Sequence, residues 1–194
     1  MEKEWSHNMK KLSRFFYKFS SGWVVLAALL VFILFAIFIL PDFSEQSALY
    51  WNGMGSPDTT LFYSGADLYA MAEAYGEEGR QAFVDMRWTL DLAFPLIYTL
   101  FLVTSASWLL RRLILSKSNW RLVNLFPLAA FILDLLENSA TSLVMLRFPE
   151  RCLFGQVLAP IISPLKWLAV AGSFLLIICA GVIYLFRRLK KTGK

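Results

Sequence analysis

The run LVNLFPLAAFILDLLENSATSLVML, residues 122–146, decides the fold. It is apolar for long enough to cross a bilayer as a helix, which rises ~1.5 Å per residue through a hydrocarbon core of ~30 Å. Yet Asp134, Glu137 and Asn138 lie inside it. A central Asp costs about 2.5–3.5 kcal/mol on insertion scales, so such residues turn toward other helices. Asp134, Glu137, Asn138 and Thr141 recur at i, i+3, i+4 and i+7 and share one helix face. The rest of the chain is expected to shelter that face.

Working outward, three more apolar runs have spanning length, giving spans at about 23–40, 88–110, 122–146 and 160–186. Of the 194 residues, 58% are hydrophobic and only 17% are charged, against about 25% in a soluble domain. The first run, Trp23 to Leu40, follows a basic segment as a signal peptide would. It exceeds an h-region of about 7–15 residues and no clear small-residue cleavage site follows, so it reads as a retained span closed by Pro41. Residues 1–194 are therefore expected to form a single transmembrane domain, an all-α polytopic four-helix bundle.

Residues 42–87 form the one sizeable extramembrane segment, with eight acids and two bases. Ser64 to Asp67 has the spacing of a capping box, and Leu68, Met71, Ala72 and Tyr75 follow at helical spacing. Gly76 ends or bends this helix, and a second begins near Glu77. The face Leu68/Met71/Tyr75 is expected to pack down as a lid. Bases cluster elsewhere: Lys3, Lys10, Lys11, Arg14 and Lys18, then Arg111, Arg112, Lys117 and Arg121, then Arg187, Arg188, Lys190, Lys191 and Lys194. By the positive-inside rule these segments are cytoplasmic and the acidic segment is outside, giving an N-in, C-in protein of the cell membrane. The bases flank spans instead of lining one folded surface, which argues against nucleic-acid binding.

The tryptophans gauge depth, because Trp prefers the interface: Trp88 and Trp167 mark the outer level, and Trp23, Trp108 and Trp120 the inner. Asp91, Pro95 and Tyr98 share a face of the second span. Pro95 cannot donate to the Asp91 carbonyl. Tyr98 and Glu137 both fall about 15 Å below the outer rim. Lys166 adjoins Trp167 at that rim and either snorkels to the surface, the preferred reading, or turns inward toward Asp91. Together with Arg87 above, these residues form a polar track entered from outside. The candidate ligand-binding set is Asp91, Tyr98, Asp134, Glu137, Asn138, Thr141 and Lys166.

The carboxylates Asp134, Glu137 and Asp91 are candidate ligands for a hard divalent cation such as Mg²⁺, Ca²⁺ or Mn²⁺. No haem, flavin or nucleotide motif occurs. The one histidine, His7, lies in the N-terminal segment, and Cys152 and Cys179 are not expected to pair. The position of His7 removes His-based metal sites and Ser-His or Cys-His catalysis from the spans.

PDTTLFY (57–63), Leu68-Tyr69, YGEEGR (75–80), Asp91-x-x-x-Pro95-x-x-Tyr98 and Asp134-x-x-Glu137-Asn138 together resemble a group of small prokaryotic four-span membrane proteins. The resemblance covers about residues 55–180. It implies architecture and carries over no catalytic role.

Three function classes are open. The first is a binding protein whose outward acidic pocket takes a small ligand, a lipid headgroup or a cation. The second is an intramembrane enzyme modifying a lipid or isoprenoid, with Asp134 and Glu137 as its acid and base. The third is a structural or accessory subunit, its apolar first span meeting a membrane-protein partner or a second copy.

Overall fold

The computed structural model describes residues 2–115 and 118–192; Lys117 and Lys194 of the basic clusters lie outside them. The fold is an all-α polytopic bundle, with no strand among the described residues. In chain order it comprises α1 (Glu2–Phe19), α2 (Gly22–Leu34), a wide π turn (Phe35–Ile39), α3 (Leu40–Ala48), a 3-10 turn (Pro57–Thr59), α4 (Gly65–Arg87), α5 (Leu90–Leu113), a second 3-10 segment (Asn119–Leu125), α6 (Pro127–Arg147) and α7 (Leu153–Thr192). Four stretches are long and apolar enough to cross a membrane: Gly22–Ala48, Gly65–Leu113, Trp120–Arg147 and Leu153–Lys190. That fits a multi-pass membrane protein.

Helix ends depart from the sequence reading near several prolines. The first helical stretch continues through Pro41 to Ala48. The wide turn before it accounts for this: the Leu40 N–H bonds the Phe35 carbonyl five residues back, which opens the turn where proline lacks its own donor. The segment after residue 42 thus begins as helix. α6 starts at Pro127 instead of Leu122, with proline in its favoured first position. α7 starts at Leu153 and carries both Pro160 and Pro164 inside it, four residues apart on one face.

The chain divides into two compact units. The basic unit comprises Met1–Phe32, Ile97–Ala129 and Ala169–Lys194. Its core is Tyr17, Ala106, Leu109, Leu110 and Ala180. Neutral polar side chains tie α1 down: Ser13 Oγ donates to Asn124 Oδ1 at 2.8 Å, and Asn124 Nδ2 donates to Ser107 Oγ at 2.9 Å. Tyr17 donates to the Arg121 carbonyl at 2.7 Å, and the Arg111 guanidinium donates to the Tyr17 carbonyl at 2.9 Å. The small polar residues Thr104, Ser105, Ser107 and Ser173 are all buried, as close helix packing requires.

The acidic unit comprises Ile33–Leu96 and Ala130–Leu168. Ser64 and Asp67 form the expected capping box at the start of α4, the Asp67 N–H bonding Ser64 Oγ and the Ser64 N–H bonding Asp67. Leu68, Met71, Ala72 and Tyr75 are buried against Trp51, Phe83, Ala140, Val144 and Met145. Gly76 bends α4 with φ 67° and ψ −174°, a conformation that a side chain would resist. α6 and α7 approach closely at Gly155, where a Cβ would lie 2.6 Å from both the Ala140 carbonyl oxygen and a Val144 methyl. Both cysteines are free; Cys152 is buried in this core and Cys179 is exposed.

Candidate functional site

The acidic unit gathers four carboxyl groups and two bases at one buried place. α6 brings Asp134, Glu137, Asn138 and Thr141, all at most 6% exposed. α7 brings Lys166, the end of α4 brings Arg87, and the first turn of α5 brings Asp91. The loop around the first 3-10 turn adds Ser56, Asp58 and Tyr63.

Lys166 is turned inward, against the preferred expectation that it snorkels. It is 5% exposed, and its ammonium lies 2.6 Å from Glu137 Oε2 and 3.2 Å from both Asp134 Oδ1 and Asp58 Oδ1. An ammonium has three donors, and three carboxylates answer them. Its partners are not Asp91, because Asp91 pairs with Arg87 one helical turn away. Arg87, 3% exposed, also pairs with Asp58 and donates to Ser56 Oγ at 3.1 Å and Asn138 Oδ1 at 3.5 Å. Its guanidinium stacks 4.3 Å from the centre of the Phe83 ring. Asp58 therefore bridges the two cations, one oxygen to each.

The second oxygen of Glu137 accepts from the Tyr63 hydroxyl at 3.0 Å. Burial, with the Glu137 carboxyl beside it, holds the Tyr63 phenol well above its ordinary range. Tyr63 accordingly stays a donor. Asn138 Nδ2 reaches Asp134 Oδ2 at 3.5 Å. Thr141 lies on the expected face, but its hydroxyl donates to the backbone carbonyls of Glu137 and Asn138 on its own helix. Tyr98 is buried in the basic unit.

Oxygens of Asp58, Asp134 and Glu137 all lie within 4.8 Å of one another, a spacing suited to a hard cation. The sequence reading named Asp91 as the third such ligand, whereas the structure groups Asp58 with Asp134 and Glu137. The same three carboxylates surround the Lys166 ammonium, so a metal ion would have to displace it or share them with it.

Sequence reasoning left Asp58 and Tyr63 out of the candidate set and placed Arg87 only as a neighbour. Two local signals bear on them. Arg87 and Asp91 stand at i, i+4 across the start of the second span. Asp58 and Tyr63 belong to a turn-rich stretch bounded by aromatic residues, Trp51 and Tyr63, which return the loop to the core. Comparison of the chain with family models, with curated proteins and with solved structures yields no match.

Proposed function

We propose that this chain is a membrane-embedded binding protein whose acidic cluster takes a small cationic group: a metal ion, or the ammonium of a ligand or lipid headgroup. The charge inventory of the cluster carries the reading. Among the described residues, Asp58, Asp91, Asp134 and Glu137 pair only with Arg87 and Lys166. A buried cluster with more acids than bases is completed by protons or by a cation. The oxygen spacing of Asp58, Asp134 and Glu137 suits a hard cation, and their arrangement about Lys166 suits an ammonium. Access is from the side of Asp58 and Asp91, whose side chains are 25% and 18% exposed while Glu137 is 1% exposed. With the basic segments read as cytoplasmic, that side is the outer face of the cell membrane.

The test is titration of the nanodisc-embedded protein with Mg²⁺, Ca²⁺, Mn²⁺ and soluble alkylammonium ions. Calorimetry and thermal melting would be read together. Saturable binding by one class, lost in Glu137→Gln and in Asp134→Asn, is expected. Melting curves unmoved by every cation, with no heat of binding, would sink the proposal.

One observation favours a second reading, a structural role. Asp58 clips its loop to both Arg87 and Lys166, so the network closes on itself. Under that reading Asp58→Asn loosens the loop without changing any cation titration.

A further inference from the structure

The basic unit presents a surface that the acidic cluster does not involve. α1 has three faces. Ser13 and Tyr17, with Ser20 just past the helix end, fall at i, i+4 and i+7 and are buried within the unit. Leu12, Phe15 and Phe19 fall at i, i+3 and i+7 and are 39%, 57% and 49% exposed. Phe15 and Phe19 stack on each other with ring centres 5.8 Å apart. Lys11, Arg14 and Lys18, also at i, i+3 and i+7, are exposed on the remaining face. An apolar strip beside a basic strip is the pattern of a helix lying in a membrane interface.

The charge of the unit says what the surface meets. It holds fourteen Lys and Arg residues against two acids, Glu2 and Glu4. The unit's own residues offer few carboxylates to neutralise these bases. Several guanidiniums are instead spread over aromatic rings and main-chain carbonyls: Arg121 over Tyr17 at 4.0 Å, Arg112 over Trp108 at 3.9 Å, and Arg187 onto the Leu113 carbonyl at 3.2 Å. Trp23 at the start of α2 is 83% exposed, as a ring at a membrane interface would be.

We propose that α1 is an anionic-phospholipid docking helix, with Leu12, Phe15 and Phe19 seated at the acyl boundary and Lys11, Arg14 and Lys18 on the headgroup phosphates. The buried hydrogen bonds of Ser13 and Tyr17 fix its rotation, so both strips are presented together. Phosphate oxygens supply the anionic partners of which this unit has few, and the attraction falls off within a Debye length.

The test uses the full chain in nanodiscs of phosphatidylcholine, with and without phosphatidylglycerol. Lipids retained after detergent transfer are counted by native mass spectrometry. The wild type is expected to retain phosphatidylglycerol over phosphatidylcholine by roughly tenfold, a preference that shrinks at high salt. Lys11→Gln/Arg14→Gln/Lys18→Gln should remove most of it. Tryptic cleavage after these residues in the wild type, which needs no variant, should slow in the phosphatidylglycerol discs. Equal retention of the two lipids, or equal cleavage in both discs, overturns the proposal. So does a preference unchanged in the triple variant. Dimers that form in phosphatidylcholine alone and vanish in the triple variant would assign the face to a second copy instead.

Discussion

The acidic unit buries ions, whereas the basic unit buries neutral polar groups, and none of its described Lys or Arg residues is fully buried. In the former, Arg87, Asp134, Glu137 and Lys166 are each 6% exposed or less; Lys166 answers Asp134 and Glu137, and Arg87 answers Asp58 and Asp91. In the latter, the buried polar centre is Asn124 with Ser13 and Ser107, and Lys11, Arg14 and Lys18 are exposed. The counts differ in the same sense, with five bases and twelve acids in the first and fourteen bases and two acids in the second. A buried ion needs its partner far more than a buried amide does. Removing one member of a buried pair leaves an uncompensated charge, while removing a neutral partner leaves one unmet hydrogen bond. The acidic unit is thus the place where one substitution can reorganise the fold or create an ion site. In the basic unit a single substitution is expected to cost one hydrogen bond and leave the charge balance of the buried core unchanged.

The largest expected effect is that of Lys166→Met, which leaves Asp58, Asp134 and Glu137 together without their shared ammonium. Unfolding in detergent should show a loss of about 3–5 kcal/mol. Adding Mn²⁺ or Mg²⁺ should restore part of it by filling the vacated cluster. A variant that melts like the wild type would end the claim that this unit depends on buried ions. Tyr63→Phe comes next, because it removes one hydrogen bond to a carboxylate, at about 1.5–3 kcal/mol. A matching loss in a Glu137→Gln background would show that the two residues act independently; a double-mutant cycle reads this directly.

In the basic unit, Asn124→Ala should cost about 1–2 kcal/mol, the scale of unmet neutral groups. It should also free α1 for proteolysis, and a loss as large as that of Lys166→Met would erase the contrast between the units. The smallest effect is a pH dependence. Burial raises the Tyr17 phenol to about 12, the nearby Arg121 opposing it. A raised native value means that the folded state holds this proton more tightly than the unfolded state. The contribution is therefore complete below about pH 10 and lost as pH rises toward 12. Comparing melting of the wild type with Tyr17→Phe across that window isolates it, and parallel curves would refute it.

Spanning segments were legible in the sequence because length and apolarity are local properties of a run. So were the shared face of Asp134, Glu137, Asn138 and Thr141, the capping box of Ser64 and Asp67, and the bend at Gly76, each set by spacing or by one residue's backbone freedom. Helix ends near Pro41 and Pro160 were not, because proline bars a hydrogen bond but neighbouring turns can widen or repack around it. The partners in the acidic cluster were the least legible. Asp58 meets a lysine 108 positions later and Tyr63 a glutamate 74 positions later. No local pattern encodes such pairings. Lys166 is the sharpest case: at the end of an apolar run, a lysine satisfies its charge equally well in headgroups or against buried acids. The sequence by itself determined an all-α chain with four spans, opposite charges on its segments and acids buried on one helix face. Only the tertiary structure decided that a loop aspartate, a tyrosine and two inward bases complete that face, because packing alone brings such distant groups within hydrogen-bond reach.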